Sequence, residues 1–274
     1  MEIRVATILD VPGIADIAAI IDPLPDDDDV DRGYYTYLAK HGRLLVAETS
    51  DAVIGYAGTV TVAGTCHLSD LFVHPDAHGK GIGSALLDAV WDADAATVPR
   101  QTFSSLHPSA LPLYLRSGMT ARWPLLYLRG RPDALPPTHL KVLQIDASRA
   151  VALELSWLGW ARPEQYAYLS SIRGARVMAV LDGEAPVGVG VVTRRRMTHT
   201  LQRLASCDRS VMPDALIAVA RWVREEMQVA VPGDHRTVPL LVEAGWQVMG
   251  HDLYCASAPN LLDADRLLPH PGLL

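Results

Sequence analysis

The residues whose types and spacing could do chemistry lie between Leu68 and Val90, in LSDLFVHPDAHGKGIGSALLDAV. Gly79, Gly81 and Gly83 fall at alternate positions of a turn. An apolar strand-like run precedes them, and Ile82, Ala85, Leu86, Ala89 and Val90 follow at helical spacing. A strand feeding such a turn and helix aims several backbone N–H groups, and the helix N-terminus, at one point. That point attracts anions, phosphate above all. Glycine is needed there because a side chain would block the approach of a ligand and forbid some turn dihedrals. The spacing is not G-x-G-x-x-G, no βαβ unit with an acidic residue follows, and no Gly-Lys-Ser/Thr occurs, so neither a Rossmann nor a Walker A site is indicated.

The flanking sequence supplies the elements that position this turn. Ile3 to Ile21 reads as a first strand and an amphipathic helix, with Asp10 as N-cap and Pro12 near the helix start. RLLVAE and VIGYAGTVTV form two strands around Thr49-Ser50-Asp51, and Thr65 to Val73 is the strand entering the glycine turn. GRPDALPPTH then breaks the pattern with prolines and turn formers. Beyond it the order of elements recurs: LKVLQI, a helix from Ser148 to Leu158, a hairpin about Asp182-Gly183, the strand HTLQRLASC, a helix from Met212 to Met227, and LLVEAGWQVMGHDLYC in place of LYLRSGMTARWPLLYL. The expected class is α/β (α+β), in two tandem domains of one fold: residues 1–130, a linker 131–139, and residues 140–274. In the second copy the segment Cys207 to Asp214 has no glycine, its Asp208 and Asp214 would repel phosphate, and Pro213 removes a donor. A degenerate half that shapes the first half's cleft is the reading.

Composition narrows the classes. Of 274 residues, 49% are apolar and 20% charged, which suits a globular chain with a sizeable core. A net charge of −7 argues against a nucleic-acid binder. No apolar run approaches the roughly 18–20 residues that span a bilayer, and MEIRVATILD lacks the pattern of a signal peptide, so a cytoplasmic location without membrane partners is expected. Cys66, Cys207 and Cys255 show no C-x-x-C spacing and are expected as reduced thiols; no cluster has metal-ligand spacing.

The stretch V-H-P-x-x-H-G-K-G-I-G-x-x-L-L resembles motif A of the GCN5-related N-acetyltransferases (GNAT), in which Arg/Gln-x-x-Gly-x-Gly/Ala holds the pyrophosphate of acetyl-CoA. His78 stands where that family usually has Arg or Gln. Ser105 to Met119 resembles the family's closing segment, with His107 where Asn is common. The resemblance covers about residues 1 to 130 and implies two GNAT-type domains, each a mixed, mostly antiparallel sheet flanked by helices, of which the first binds acetyl-CoA. The residues it implies for binding are Leu71, Phe72, Val73, His78, Gly79, Lys80, Gly81, Ile82, Gly83, Ser84 and His107, with no metal. The implied function is acetyl transfer to a primary amine by direct attack in a ternary complex, the acceptor being a small amine or a peptide and a homodimer an open option. A non-catalytic acetyl-CoA-binding sensor and a structural pseudo-acetyltransferase are the alternatives.

Acetyl transfer to an amine needs a neutral nitrogen, a polarised thioester carbonyl and a proton donor for the leaving thiolate. A backbone N–H near Leu71 to Val73 is the candidate for the thioester oxygen. The family's assigned base is usually a glutamate where His67 or Ser69 sits here, which makes His67 the first candidate, with Asp70 and Glu48 behind it. A hydrogen-bonded histidine with no role is the alternative. Strand alternation predicts His67, Ser69, Leu71 and Val73 on one face, and Leu68, Asp70 and Phe72 on the other. Tyr114 falls where the family's thiolate-protonating tyrosine lies; an aromatic packed into the core is its alternative reading. Asp26 to Asp29 with Asp31 could draw a cationic amine, and Arg194-Arg195-Arg196 could meet a phosphate; solvated segments are the simpler reading of both.

Overall fold

The structure, a computed structural model, describes residues 1–21, 32–50, 52–91, 98–195 and 198–274. The acidic run from Asp26 to Asp31, Asp51 and Arg196 lie outside the described residues.

In the first half, β1 (Glu2–Val5) leads to α1 (Val11–Ile21) and α2 (Arg32–His41). The strands β2 (Arg43–Glu48), β3 (Val53–Val62) and β4 (Thr65–Val73) follow. Then come α3 (Ile82–Trp91), β5 (Arg100–Ser104), α4 (Ala110–Arg116) and β6 (Thr120–Gly130). The second half has β7 (Lys141–Gln144), α5 (Ala147–Leu158), α6 (Pro163–Ser171), β8 (Arg176–Asp182), β9 (Ala185–Arg195) and β10 (Thr198–Ser206). It ends with α7 (Met212–Val223), β11 (Met227–Pro232), α8 (Thr237–Glu243), β12 (Gln247–Ala256) and the two-residue β13 (Leu267–Leu268).

Three readings of the sequence change in detail. Asp10 does not cap α1. A 3-10 turn over Ile8–Asp10 comes first, capped by Thr7, whose hydroxyl accepts from Leu9 N while Asp10 accepts from Thr7 N. The Asp10 carboxylate also receives Arg4, tying the turn to β1. The helix expected to reach Met227 stops at Val223, because Arg224 takes a left-handed φ of 64° as its C-cap. The freed residues Met227–Pro232 become β11.

All the strands join one sheet, in the order β1-β2-β3-β4-β5-β12-β6-β11-β10-β9-β8-β7, with β13 paired to β10. Most pairs are antiparallel; β4–β5 and β10–β11 are parallel. The centre of the order is an exchange. β12, from the second half, lies between β5 and β6, whereas β6, from the first, lies between β12 and β11. Each half therefore hands its closing strand to the other. Helices cover both faces. Leu86, Leu87 and Val90 of α3 bury against Leu68, Ala57 and Leu45 on one face. On the other, Ile14, Ile17 and Leu38 of α1 and α2 share a core with Tyr166 and Leu169 of α6. No helix among the described residues is long and apolar enough to cross a membrane.

Candidate active site

The site begins with a slip in register. Thr59 of β3 pairs with Leu68, and Gly58 pairs with Asp70, so Ser69 has no partner and forms a β-bulge. The bulge corrects the alternation expected from sequence. Cys66 and Leu68 share a face with Leu71 and Val73 in the core beneath α3. His67 turns to the opposite face with Phe72 and meets Phe103 there, the rings 5.8 Å apart. Asp70 is on that side too, close enough to raise the phenols of Tyr34 and Tyr56 after burial has done so.

The parallel ladder between β4 and β5 ends at Leu68 and Thr102, where the Thr102 hydroxyl donates to Leu68 O at 2.9 Å. Beyond that the strands separate. His74 N donates to Ile54 O of β3. By strand alternation, Phe72 and Asp70 spend their main-chain groups on β3, and Leu71 and Val73 direct theirs into the gap. Val73 O already accepts from His78 Nε2 at 2.7 Å. Phe72 thus brings its ring to the site rather than its N–H.

At the end of β4 the glycine turn has the geometry an anion cradle requires. Gly79 and Gly81 have φ of 75° and 76°, a left-handed region costly for any side chain, and a Cβ on either would point into open space. The first helical acceptor used by α3 is Gly81 O, from Ala85 N. The N–H groups of Ile82, Gly83 and Ser84 therefore have no intrahelical partner and face the turn. Gly83 differs: its φ is not left-handed, and a Cβ there would make only ordinary contact, 3.9 Å from Leu113 and from Val73. Lys80 Nζ donates to Asp76 O, bracing the turn. His78 and His107, which stand where the resemblance expects Arg or Gln and Asn, lie side by side with rings 5.7 Å apart. His107 Nδ1 accepts from Ser109 N at the start of α4.

Tyr114 and Asp70 lie on opposite faces of the sheet, near enough for the carboxylate to act on the phenol. Tyr114 is buried in the core under α3. Burial pushes its phenol well above the ordinary value, and Cys255, Asp70 and Asp252 add to the rise. His67 is wholly buried. Burial pulls its imidazole down to about 3, so the ring is neutral at neutral pH. Its Nε2 lies 2.8 Å from Pro271 O, a carbonyl that can only accept, which makes Nε2 the protonated nitrogen. Nδ1 is then a lone pair, buried without a partner among the described residues. Glu48, the other carboxylate considered, is bound to Arg4 at the edge of the sheet and is held below its usual range by that arginine. Arg194 pairs with Glu225 at the surface, 3.5 Å apart, at the outer end of β9.

Three things around Asp70 escaped the sequence reading. Tyr34 and Tyr35 come from α2, a helix that the reading of the sequence did not assign. Tyr35 and Tyr56 join hydroxyls at 3.2 Å. Residues 270–272 arrive from the far end of the chain: Tyr34 donates to Gly272 O, and the His270 ring stacks on Tyr34 at 6.4 Å. Trp123 of β6 and Tyr254 of β12 stack at 4.4 Å and continue the aromatic wall through Phe103 to His67.

The second half repeats the bulge and fills the gap. Leu201 of β10 pairs with Val192 and Arg203 with Val191, leaving Gln202 unpaired where the first half has Ser69. The ladder to β11 ends at Thr200. In the gap beyond it lies β13, with Leu268 opposite Leu204 and Leu267 opposite Ala205, while Ser206 N donates to Arg266 O. At the head of α7, Asp208 takes the donors that a ligand would need, accepting from Ser210 N and Ser210 Oγ at 2.8 and 2.6 Å.

Residues 40–118 match the family model described as an acetyltransferase (GNAT) domain. Over these residues the chain is similar to a GNAT domain. It is 35% identical over 126 residues to a mycothiol acetyltransferase of Parafrankia sp. (strain EAN1pec), a match over 42% of this chain and 38% of that protein. The chain thus spans well under half the length of that relative. In fold it is similar over its whole length to a putative acetyltransferase from Pyrococcus horikoshii, with a TM-score of 0.79, 14% identity and 94% of that chain covered. It is also similar to a tandem GNAT protein from the clavulanic acid biosynthesis pathway, with a TM-score of 0.65 and 15% identity over 94% of this chain and 99% of that one.

Proposed function

We propose that this protein transfers an acetyl group from acetyl-CoA to a primary amine, by direct attack in a ternary complex formed in the first half, residues 1–130. One observation carries the reading. The left-handed glycine turn ahead of α3 follows the end of β4, past the point where the β4–β5 ladder stops, and Asp70 of the same strand lies near enough to Tyr114 to raise its phenol. The turn and the N–H groups of residues 79–84 would hold the pyrophosphate, with His78 and His107 beside it. The main chain of Leu71 and Val73 would hold the pantetheine arm and the thioester oxygen. Bound there, acetyl-CoA supplies an activated acyl thioester.

The residues of the chain do the rest. Asp70 anchors the incoming ammonium and takes its proton, directly or through water, so that nitrogen attacks as a neutral amine. The Leu71 N–H faces the charge that develops on the thioester oxygen. Tyr114 stays protonated far above neutral pH and gives its proton to the departing thiolate. His67, neutral and fixed beneath Pro271, holds the pocket wall rather than moving a proton.

Thiol release measured with acetyl-CoA and an amine panel tests the reading and separates it from a non-catalytic sensor, which binds acetyl-CoA without turnover. Within it, Tyr114→Phe keeps the ring and removes its only donatable proton. The expected result is a drop in kcat of roughly 10- to 1,000-fold with unchanged CoA affinity. Full activity in a folded variant leaves water as the proton source.

A further inference from the structure

Residues 266–274 are held at several points. Near one end, β13 pairs with β10. At the other, Arg162 Nη1 donates to Leu273 O at 2.9 Å, and both Gln165 Nε2 and Arg203 Nη1 donate to Leu274 O. Arg203 is itself fixed by Glu154 through two hydrogen bonds, with both side chains fully buried. Between these anchors the chain crosses to the first half. There Pro271 O meets His67, Gly272 O meets Tyr34, and the His270 ring lies on Tyr34. His270 Nδ1 turns inward and accepts from Gly272 N and Leu273 N, which closes this stretch into a tight loop. A Cβ at Gly272 would come within 2.4 Å of the Tyr34 hydroxyl oxygen, so a side chain there must displace the Tyr34 ring or the loop.

This loop shares the pocket side of β4 with one carboxylate, Asp70, and the rings of Tyr34, Tyr56, Phe72, Phe103 and Trp123. Aromatic faces around a carboxylate attract an organic cation twice over, by charge and by ring quadrupole. An acceptor in the form of an extended peptide would need room along this side, where the loop already touches Tyr34 and His67.

We propose that residues 270–272, delivered by the second half, form the specificity wall of the first half's acceptor pocket, and that the pocket takes a small primary ammonium ion carried on an apolar or aromatic body. This rests on the reading of the chain as an acetyl-CoA-dependent transferase. His270, Pro271 and Gly272 are positioning residues: they shape the pocket through Tyr34 and His67 and take no part in bond making.

The test compares phenethylamine and other aralkylamines with lysine-containing and N-terminal peptides, using the full chain, acetyl-CoA and thiol detection. The expected kcat/KM is at least about 100-fold higher for the aralkylamines. Gly272→Ala is expected to raise their KM about 10-fold or more while kcat and CoA affinity hold. Tyr34→Phe, a milder change that keeps the ring, is expected to move KM in the same direction by a smaller factor and covers the case of a poorly folded Gly272 variant. Peptides acetylated as well as aralkylamines overturn the proposal, as does an unchanged KM in both folded variants. Calorimetry separates the two levels of the argument. A chain that does not bind acetyl-CoA removes the transferase reading. Phenethylammonium is then titrated alone, with Asp70→Asn as control: binding that depends on Asp70 and weakens in Gly272→Ala upholds the wall, and no binding removes it. The same titration decides the matter if acetyl-CoA binds but no amine turns over.

Discussion

In β4 the residue after the bulge is Asp70, set among tyrosines on the side of an open strand gap; at the matching place in β10 it is Arg203, sealed against Glu154 beside a gap that β13 fills. The local backbone device is the same in both. What differs is the occupant. The first half keeps left-handed glycines before its helix and a gap with main-chain groups free to bind. The second half has spent those groups on its own chain: Ser206 on Arg266, Ser210 on Asp208, Arg203 on Glu154 and Leu274. A bulge and a splayed strand pair thus make a receptor, and whether that receptor serves a ligand or the fold depends on a few side chains and one returning segment.

The comparison breaks most readily at Arg203. Removing one partner of a buried, doubly bonded ion pair leaves a bare charge, so Arg203→Met is expected to destabilise the protein by about 3–5 kcal/mol in denaturant melts. Asp70→Asn, at the matching position, is expected to cost under about 1 kcal/mol. Equal losses would show that both positions serve stability alone.

Acid should expose the next difference. His67 has a folded pKa of about 3, far below the value of about 6.5 for a free imidazole. The unfolded chain therefore binds more protons between those values. The stability that neutral His67 contributes is present above about pH 6.5 and falls as pH drops toward 3, by about 3 kcal/mol at pH 4. The melting curve of His67→Gln should be flatter over that window. An identical slope would mean that the buried ring is not what makes the first half acid-sensitive.

The anion cradle is expected to respond more modestly. Gly81→Asp puts a side chain on a left-handed residue and a negative charge in the turn, and should weaken CoA binding by at least about 2 kcal/mol. Unchanged affinity in calorimetry would remove the assignment of the turn. The smallest expected effect is none at all. Asp208→Gly frees Ser210 N at the head of α7, yet the titration should stay at one CoA per chain, because β13 still fills the gap. A second equivalent would show that the two halves differ only in their turn.

Much of this was legible in the sequence because it is local. The glycine turn, the strand over Thr65–Val73 and the helix after it follow from turn chemistry and period alone. The repeat of strand, helix and hairpin after residue 139 follows from the order of patterns. The face of His67 did not, because a single unpaired residue at Ser69 reverses every side chain beyond it, and no property of serine announces a bulge. β11 was hidden because MQVAVP follows a helix that a left-handed arginine stops, where sequence rules look for glycine or asparagine. The pocket wall was beyond reach altogether: Pro271 meets His67 from about 200 positions away, through contacts that leave no periodic trace.

The exchange of closing strands has a consequence for how the protein comes to exist. β5 has no lateral neighbour on one side until β12 arrives, and β12 is made of residues 247–256. During synthesis the first half is fully translated long before its sheet can close, and it must wait for nearly the whole of the second. In that interval it carries an unpaired strand edge, the feature by which nascent chains capture one another. A gene cut at the linker would yield two fragments, each missing the strand that the other holds. They would be expected to precipitate apart and to recover only when produced together.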